Sequence, residues 1–523
     1  MIDTVSWRQV PQMAGNRLFL DYVEGRRSVL GHYSHEPLDY SGALAARRGY
    51  PYPRETVSKQ IEAYVRPLGA SERTLENTEA LKDPDVYCVV GGQQAGFLGG
   101  PAYVAYKIAS TIRLARILSS RLGIRAVPVF WLASEDHDFG EINHTHYLQP
   151  DGEIGRISFD WAGKGRPISD LPMTEQVLDA WAAYWSGAQA GPYAESARQM
   201  TEPLSGRYCD WIARLWLRTF ADEGLIVLEP ATLRPAAGGF LRAALRDRAE
   251  IGSRLASAAA DLERDGYTAL LDPQTAGVLY TFSDSGHRVR VEEGGISADQ
   301  AADHPERFST DAALRPLLAD GTLPVIASTL GAGELAYQGM LRPLYELFGI
   351  PQPICFPRQS FTIVSSAQRE RLAAYGLGPR DILTSELDID AVMRALMPAE
   401  ALERFAAARA GVESALLPLK DHVEGLDPNL GRSWEQALST AHRNIDKLEE
   451  RAINVTLSRQ GYARRELQSS RNLIVPRGRL QERVLPITHF VQHYGPAFVN
   501  RLCHLGDAEI FEHAIITVES GDG

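Results

Sequence analysis

Residues 86–144 read VYCVVGGQQAGFLGGPAYVAYKIASTIRLARILSSRLGIRAVPVFWLASEDHDFGEINH, and this stretch decides the fold. Val86 to Val90 is a short β-rich apolar run. Gly91 to Gly100 is a glycine-rich loop, and Pro101 suits the first turn of a helix, where its missing N–H costs nothing. Residues 103–121 bring Ile108, Ile112, Ala115 and Leu118 near one face, the spacing of an amphipathic helix. Ala126 to Ala133 is a second apolar strand. Strand, helix and strand of these lengths make a βαβ unit, so the sheet is locally parallel.

Working outward, Thr56 to Leu68 has helical spacing before Pro84 closes the first region. Gly224 to Leu228, Leu323 to Ser328 and Pro353 to Phe356 read as further strands, and residues 236–265 and 335–348 as helices. The order predicts an α/β fold, a Rossmann-like doubly wound core carrying connecting insertions near 150–205 and 270–322, the second holding a β-hairpin. From residue 386 the pattern changes to long helices. Leu438, Ile445 and Ala452 recur every seven residues, as do Ala441, Leu448, Val455 and Tyr462, with Phe405, Val412 and Leu419 on a preceding helix. Asp427-Pro428-Asn429 is a turn between them. The expected organisation is therefore core at 1–385, an antiparallel helical coiled coil at 386–475, and a segment at 476–523 that packs back on the core. Spacing alone leaves open whether the apolar seam closes a hairpin or joins two subunits.

The chain has 523 residues, 44% hydrophobic and 23% charged, with a net charge of −12. That is ordinary globular composition. An acidic chain has no global field to gather phosphate backbones, so nucleic acid is not an expected partner. Cys88, Cys209, Cys355 and Cys503 form no CxxC pair, which argues against a disulfide framework and a cysteine zinc site. The N-terminus lacks a basic segment followed by an apolar run, and no stretch reaches the roughly 20 apolar residues of a membrane span. A cytoplasmic enzyme is the expectation.

Three segments can carry chemistry. In Gly91-Gly92-Gln93-Gln94-Ala95-Gly96, glycines let a ligand approach the backbone, and two adjacent amides can donate and accept together. The string is neither a Walker loop nor GxGxxG. Lys107, one turn into the helix, could complete an anion site, although a solvated lysine would look the same. The second segment, Glu135 to His144 with His146 beyond it, follows a strand directly, and parallel sheets bind ligands outside the carboxyl ends of their strands. A histidine among carboxylates can act as acid or base near neutral pH. The Asp136–His146 cluster could instead hold a divalent metal in a hydrolase, although the usual His pair spacings are absent, or be a structural ion-pair loop. The third is Gly331-Ala332-Gly333-Glu334-Leu335-Ala336-Tyr337, again a glycine loop between strand and helix.

Together, VVGGQQAGFLGGPAYVAYKIAS, PVFWLASEDHDFGEINH and LRPLLADGTLPVIASTLGAGELAYQGMLRPLYELFGIPQP resemble the BshC family, whose members add cysteine in bacillithiol synthesis. The C-terminal HRNIDKLEERA and RNLIVPRGRLQERVLP strings resemble that family's end, so the resemblance spans nearly the whole chain. It implies a Rossmann-like core, a coiled coil that pairs two subunits as a homodimer, and a ligase joining cysteine to the amino group of glucosaminyl-malate. ATP with Mg2+ is the implied energy source, and no tightly bound metal is expected. Carried onto this chain, His137, Asp138 and His144 are the implied catalytic groups. Gly92, Gln93, Gln94, Gly96, Lys107, Glu141, Asn143, Gly331, Gly333, Glu334 and Tyr337 are the implied binding groups. Gly91 departs from the family, which more often has a hydroxyl residue there. A scaffold that uses the coiled coil to hold other pathway enzymes is the alternative outside catalysis.

Overall fold

Five parallel strands form the central sheet of the computed structural model, which describes residues 1–163, 165–292 and 294–519. Numbered within this sheet they are β1 (Val86–Gln93), β2 (Arg125–Leu132), β3 (Ile226–Leu228), β4 (Val325–Leu330) and β5 (Ile354–Pro357). Their spatial order is β5-β4-β1-β2-β3. Residues 86 to 93 of β1 pair with 125 to 132 of β2, while Val325 and Ala327 of β4 face Cys88 and Val89 on the other side. The chain therefore builds outward from β1 in one direction, then returns and builds in the other. The crevice where the order reverses, between β1 and β4, is where such sheets take ligands.

The strands are apolar because both faces are covered. Tyr87, Val89, Ile326, Ile354 and Phe356 pack with Leu114 and Leu118 of helix α1 (Tyr103–Leu122) in one buried cluster. One sequence expectation changes here. The strand does not stop at Val90 but runs through Gly91, Gly92 and Gln93, opposite Phe130, Trp131 and Leu132. Strands on both sides hold Gly91 extended, and β2 alone holds Gly92 and Gln93, whatever glycine's low intrinsic preference for strands. The loop proper begins at Gln94, and its turn packs backbone on backbone: a Cβ on Gly96 would lie 2.6 Å from Gly100 Cα.

The connections carry the insertions. Between β2 and β3 lie a short helix (Phe139–Ile142), an antiparallel hairpin (His144–Leu148 with Ile154–Ser158) and helices as far as Thr219. Between β3 and β4 the expected hairpin becomes a three-stranded antiparallel sheet, because Phe308–Thr310 adds to Leu279–Phe282 beside Arg288–Arg290. Helix α2 (Leu314–Thr322), placed by sequence at the edge of that insertion, is the crossover helix that feeds β4. Helix α3 (Ala332–Gln338) follows β4 and stops short of the expected 348, a second helix beginning at Arg342. His513–Val518 lies between Ile2–Val5 and Ser360–Ser365 in a separate three-stranded sheet.

The chain divides into one unit of residues 1–365 and 475–523 and a second of residues 366–474. The break falls twenty residues before the 385/386 boundary read from sequence, since the helices Ser366–Ala374 and Pro379–Thr384 belong to the second unit. That unit is dominated by α4 (Ala399–Leu426) and α5 (Leu430–Arg459), a hairpin of long helices. Ile445 and Ala452 are half-buried on the hairpin seam, but Leu448, Val455 and Leu419 are exposed. No helix among the described residues is long and apolar enough to cross a membrane.

Candidate functional site

A cavity of about 530 Å³ opens at the carboxyl ends of β1, β2 and β4. Val90 and Gly92 of β1, Trp131 and Ala133 at the end of β2, and Ser328 and Leu330 of β4 line it. In each strand these residues are two apart, so they share one face of the sheet. Helix α2 covers that face with Arg315, Pro316, Ala319 and Asp320, and α3 adds Glu334, Tyr337 and Gln338. The volume lies in the range of small-ligand sites.

Of the groups singled out from sequence, the cavity brings together Gly92, Gln93, Gln94, His137, Glu141, Glu334 and Tyr337. They come from the strand ends and helix starts at three strand-to-helix junctions, so the switch-point topology explains the convergence. The other groups stand elsewhere. Lys107 is a buried brace rather than a ligand-facing cation. Its Nζ donates to Gly92 O at 2.7 Å, to Gln93 Oε1 at 3.0 Å and to Glu334 Oε2 at 2.5 Å. Burial pulls its ammonium pKa down, and Glu334 pulls against that. The same Glu334 oxygen accepts the Gly331 N–H at 2.8 Å, so one ion pair ties the β1 end to the start of α3.

Asp138 is exposed, and neither it nor Asn143, His144, Gly96, Gly331 or Gly333 lines the cavity. The helix Phe139–Ile142 turns the chain away there. Asn143 Nδ2 donates to Phe159 O at 3.1 Å and secures the hairpin. His144 stacks edge-on against His146 with ring centroids 5.5 Å apart. Burial lowers the pKa of both imidazoles, that of His146 to about 4, so they are neutral near neutral pH. His137 is thus the imidazole of this segment that faces the cavity.

Sequence reasoning missed the cations. Arg288 and Arg315 both reach Asp136, at 3.5 Å from Arg288 Nη1 and 3.1 Å from Arg315 Nη2. Arg288 lies 4.0 Å over the Tyr280 ring and donates to Ser309 Oγ at 2.9 Å, which fixes its plane. Two guanidiniums on one carboxylate leave a positive charge in excess, facing the cavity. Asp311, also on the wall, is spent on the backbone. It accepts N–H groups from Leu314 at 3.0 Å and Gly277 at 2.7 Å, tying the start of α2 to the insertion. A legible signal existed for α2. Arg315, Pro316, Ala319 and Asp320 recur at helical spacing on the run leading into β4.

Glu141 makes no ion pair among the described residues, and its carboxyl pKa is raised by partial desolvation and by the neighbouring Asp138 and Asp136. Gln94 Oε1, Trp131 Nε1 and Gln338 Oε1 are buried without a hydrogen-bond partner. Unmet polar atoms around one cavity fit a ligand that brings its own donors and acceptors. Among the described residues, no three His, Cys, Asp or Glu side chains form a metal-holding group. The Asp136–His146 cluster is divided instead, Glu135 pairing with Arg234 and Asp136 with two arginines. The hydrolase alternative therefore has no ligand set there.

The family boundary near residue 360 falls close to the break after residue 365, although the C-terminal family domain also takes in residues 475–518, which group with the first unit. A model described as "Bacillithiol biosynthesis BshC, N-terminal Rossmann-like domain" matches residues 5–359, and its C-terminal coiled-coil counterpart matches residues 361–518. The chain is 33% identical to a protein of Symbiobacterium thermophilum over 89% of this chain and 90% of that protein. It is 29% identical to one of Geobacillus thermodenitrificans, over 98% and 99%, and 29% identical to one of Koribacter versatilis, over 99% of each. All three relatives carry the name "Putative cysteine ligase BshC". With both domain models matched in order over nearly its full length, the chain belongs to the BshC family of bacillithiol biosynthesis.

Proposed function

We propose that the switch-point cavity joins the carboxyl group of cysteine to the amino group of glucosaminyl-malate, an ATP-dependent ligation in bacillithiol synthesis. The observation that carries this reading is the wall chemistry: one end of the cavity holds an excess of guanidinium charge beside free acids and an imidazole. The malyl carboxylates suit Arg288 and Arg315, whose charge Asp136 only half offsets. The sugar amine lies toward His137 and Glu141, and His137 takes its proton as the nitrogen attacks. ATP with Mg2+, when bound, supplies the activation that a free carboxylate lacks. The Gln94 amide and the Trp131 Nε1–H, both with a buried unpartnered polar atom at the strand ends, are the groups that fit so polar a ligand. Gln93 and Gln94 orient the carboxylate or phosphate at the strand end, and the Lys107–Glu334 brace holds their loop.

We read the second unit as the subunit interface of a cytoplasmic homodimer. Leu417, Leu419, Leu426, Leu430, Leu448 and Val455 are exposed along the helical hairpin, an apolar surface that one chain leaves uncovered.

Purified protein with cysteine, glucosaminyl-malate and ATP-Mg should form the thiol product, detected by mass spectrometry, and a deletion strain should accumulate glucosaminyl-malate. A deletion strain with unchanged bacillithiol would reject the reading. Alanine at both His137 and Asp138 addresses the scaffold: a scaffold would keep supporting thiol synthesis in cells.

A further inference from the structure

Five carboxylates line the cavity: Asp136, Glu141, Asp311, Asp320 and Glu334. Three are committed. Asp136 meets two arginines, Glu334 meets Lys107, and Asp311 caps backbone N–H groups. Glu141 and Asp320 remain, at different depths. Glu141 is exposed at the mouth. Asp320 is 3% exposed, on the same face of α2 as Arg315. The two are five positions apart, about 7.5 Å along the helix axis. Because α2 feeds β4, its start lies toward the carboxyl end of the sheet and Asp320 lies deeper. The Tyr345 hydroxyl donates to Asp320 Oδ2 at 2.5 Å, and no ion pair holds the carboxyl among the described residues. Gln338, near the end of α3, lines the same cavity; it is 2% exposed, and its Oε1 is buried without a donor.

We propose that this deep end, built by Asp320 and the Gln338 amide oxygen, is a subsite for a primary ammonium, and that it takes the α-ammonium of cysteine. This deepens the ligase reading and rests on it for the name of the amino acid. An ammonium offers three donors and no acceptor, which is what an acid and an unpaired carbonyl oxygen require. Both substrates of the proposed reaction carry an amine. The mouth, with the arginine pair, Glu141 and His137, suits the bulky acidic sugar, so the closed end is left for the smaller partner. Burial pushes the Asp320 carboxyl up to about 7, against the opposing pull of Arg47 and Tyr345. A cation arriving there near neutral pH draws out the charged form.

The test is calorimetric titration of wild type, Asp320→Asn and Gln338→Met, each with a non-hydrolysable ATP analogue and Mg2+. The probes are L-cysteine, 3-mercaptopropionate (which lacks the amine), glucosaminyl-malate and its N-acetyl derivative. Wild type should prefer cysteine to 3-mercaptopropionate. Asp320→Asn should weaken cysteine about ten-fold or more and leave 3-mercaptopropionate and glucosaminyl-malate unchanged. Gln338→Met, close in shape, should weaken cysteine less, and an unaltered unfolding midpoint certifies that it folds. Loss of glucosaminyl-malate binding with cysteine spared overturns the cysteine assignment and moves the sugar amine to the deep end. Variants that bind every probe as wild type does, or a wild type blind to the amine, overturn the subsite. A wild type that binds cysteine through Asp320 yet makes no thiol product overturns the ligase reading alone.

Discussion

Replacing Lys107 by methionine tests how the cavity is held open. The ammonium is 1% exposed and ends in three hydrogen bonds that join two loops. Methionine keeps most of the stem's packing and removes the charge. Breaking a buried pair by removing one partner costs roughly 3–5 kcal/mol. Glu334 is 29% exposed, so water recovers part of its solvation. The orphaned Gly92 carbonyl and Gln93 oxygen each add about 1 kcal/mol. The expected loss is about 3 kcal/mol in the first unit, read from its denaturant transition resolved from that of the helical unit. Adding Glu334→Gln should restore more than about 1 kcal/mol, because the unpaired charge is then gone. Ligation should fall in the single variant and partly return in the double. Additive losses, with coupling below about 0.5 kcal/mol, would refute the brace. So would a Lys107→Met protein of wild-type stability whose KM for the anionic substrate rises steeply, the behaviour of a lysine that touches ligand.

Further outcomes follow from other residues. Arg288→Gln should raise KM for glucosaminyl-malate by about ten-fold or more with little change in KM for cysteine, measured in steady state. Gly91→Ser should destabilise by about 1–3 kcal/mol, since a Cβ there would lie 2.5 Å from Thr111 Oγ1 and 2.7 Å from Thr329 Oγ1; Thr111→Ala in the same chain should recover part of the loss, by thermal unfolding. The Asp320 carboxyl is raised from 3.8 to about 7, so the stabilising contribution of its protonated form is present below about pH 4 and lost as pH rises through 7. The groups around it are Arg47, Tyr52, Tyr345 and Cys355. Relative to Asp320→Asn, wild type should lose stability between pH 4 and 7 by up to about 1.4 kcal/mol per pH unit, and parallel urea midpoints for the two proteins would contradict this. Leu448→Glu with Val455→Glu should convert a dimer to monomers by light scattering; an unchanged mass removes the hairpin's outer face as the interface.

The central βαβ unit was legible because its signals are local: an apolar run, a glycine turn, and an amphipathic helix of twenty residues. What was not legible depends on neighbours distant in the chain. Gly91 and Gly92 read as loop because glycine alone has little strand preference; β2 holds both extended, and β4, more than two hundred residues later, pairs with Gly91 from the other side. Lys107 read as a free cation, yet it stands among Ile108, Thr111 and Leu114, positions of a helix buried on nearly every side. A lysine so placed must find an acid, and the acid, Glu334, comes from a loop 227 residues on. The coiled-coil repeat gave the helices but mixed two faces, because a heptad count does not distinguish residues that close the hairpin from those left outside it.

The site divides along the same line. Residues on the ends of β1, β2 and β4 were found, since topology alone sends strand ends to the crevice. Arg288 was not, since it lies beside no glycine loop and in no recognisable string, and Asp320, though inside the quoted run that leads into β4, was passed over as one polar position of an amphipathic helix. Their significance comes from subtraction. Each cavity acid must be matched to its partner before the unmatched ones stand out, and those partners, Lys107, Arg315 and the N–H groups at the start of α2, are scattered along the chain. Two unmatched acids at different depths and one surplus guanidinium are what the proposed substrates, two amines and an anion between them, would require. A sequence motif can say that a pocket is there, but only the charge left over after pairing gives a ligand proposal something to be tested against.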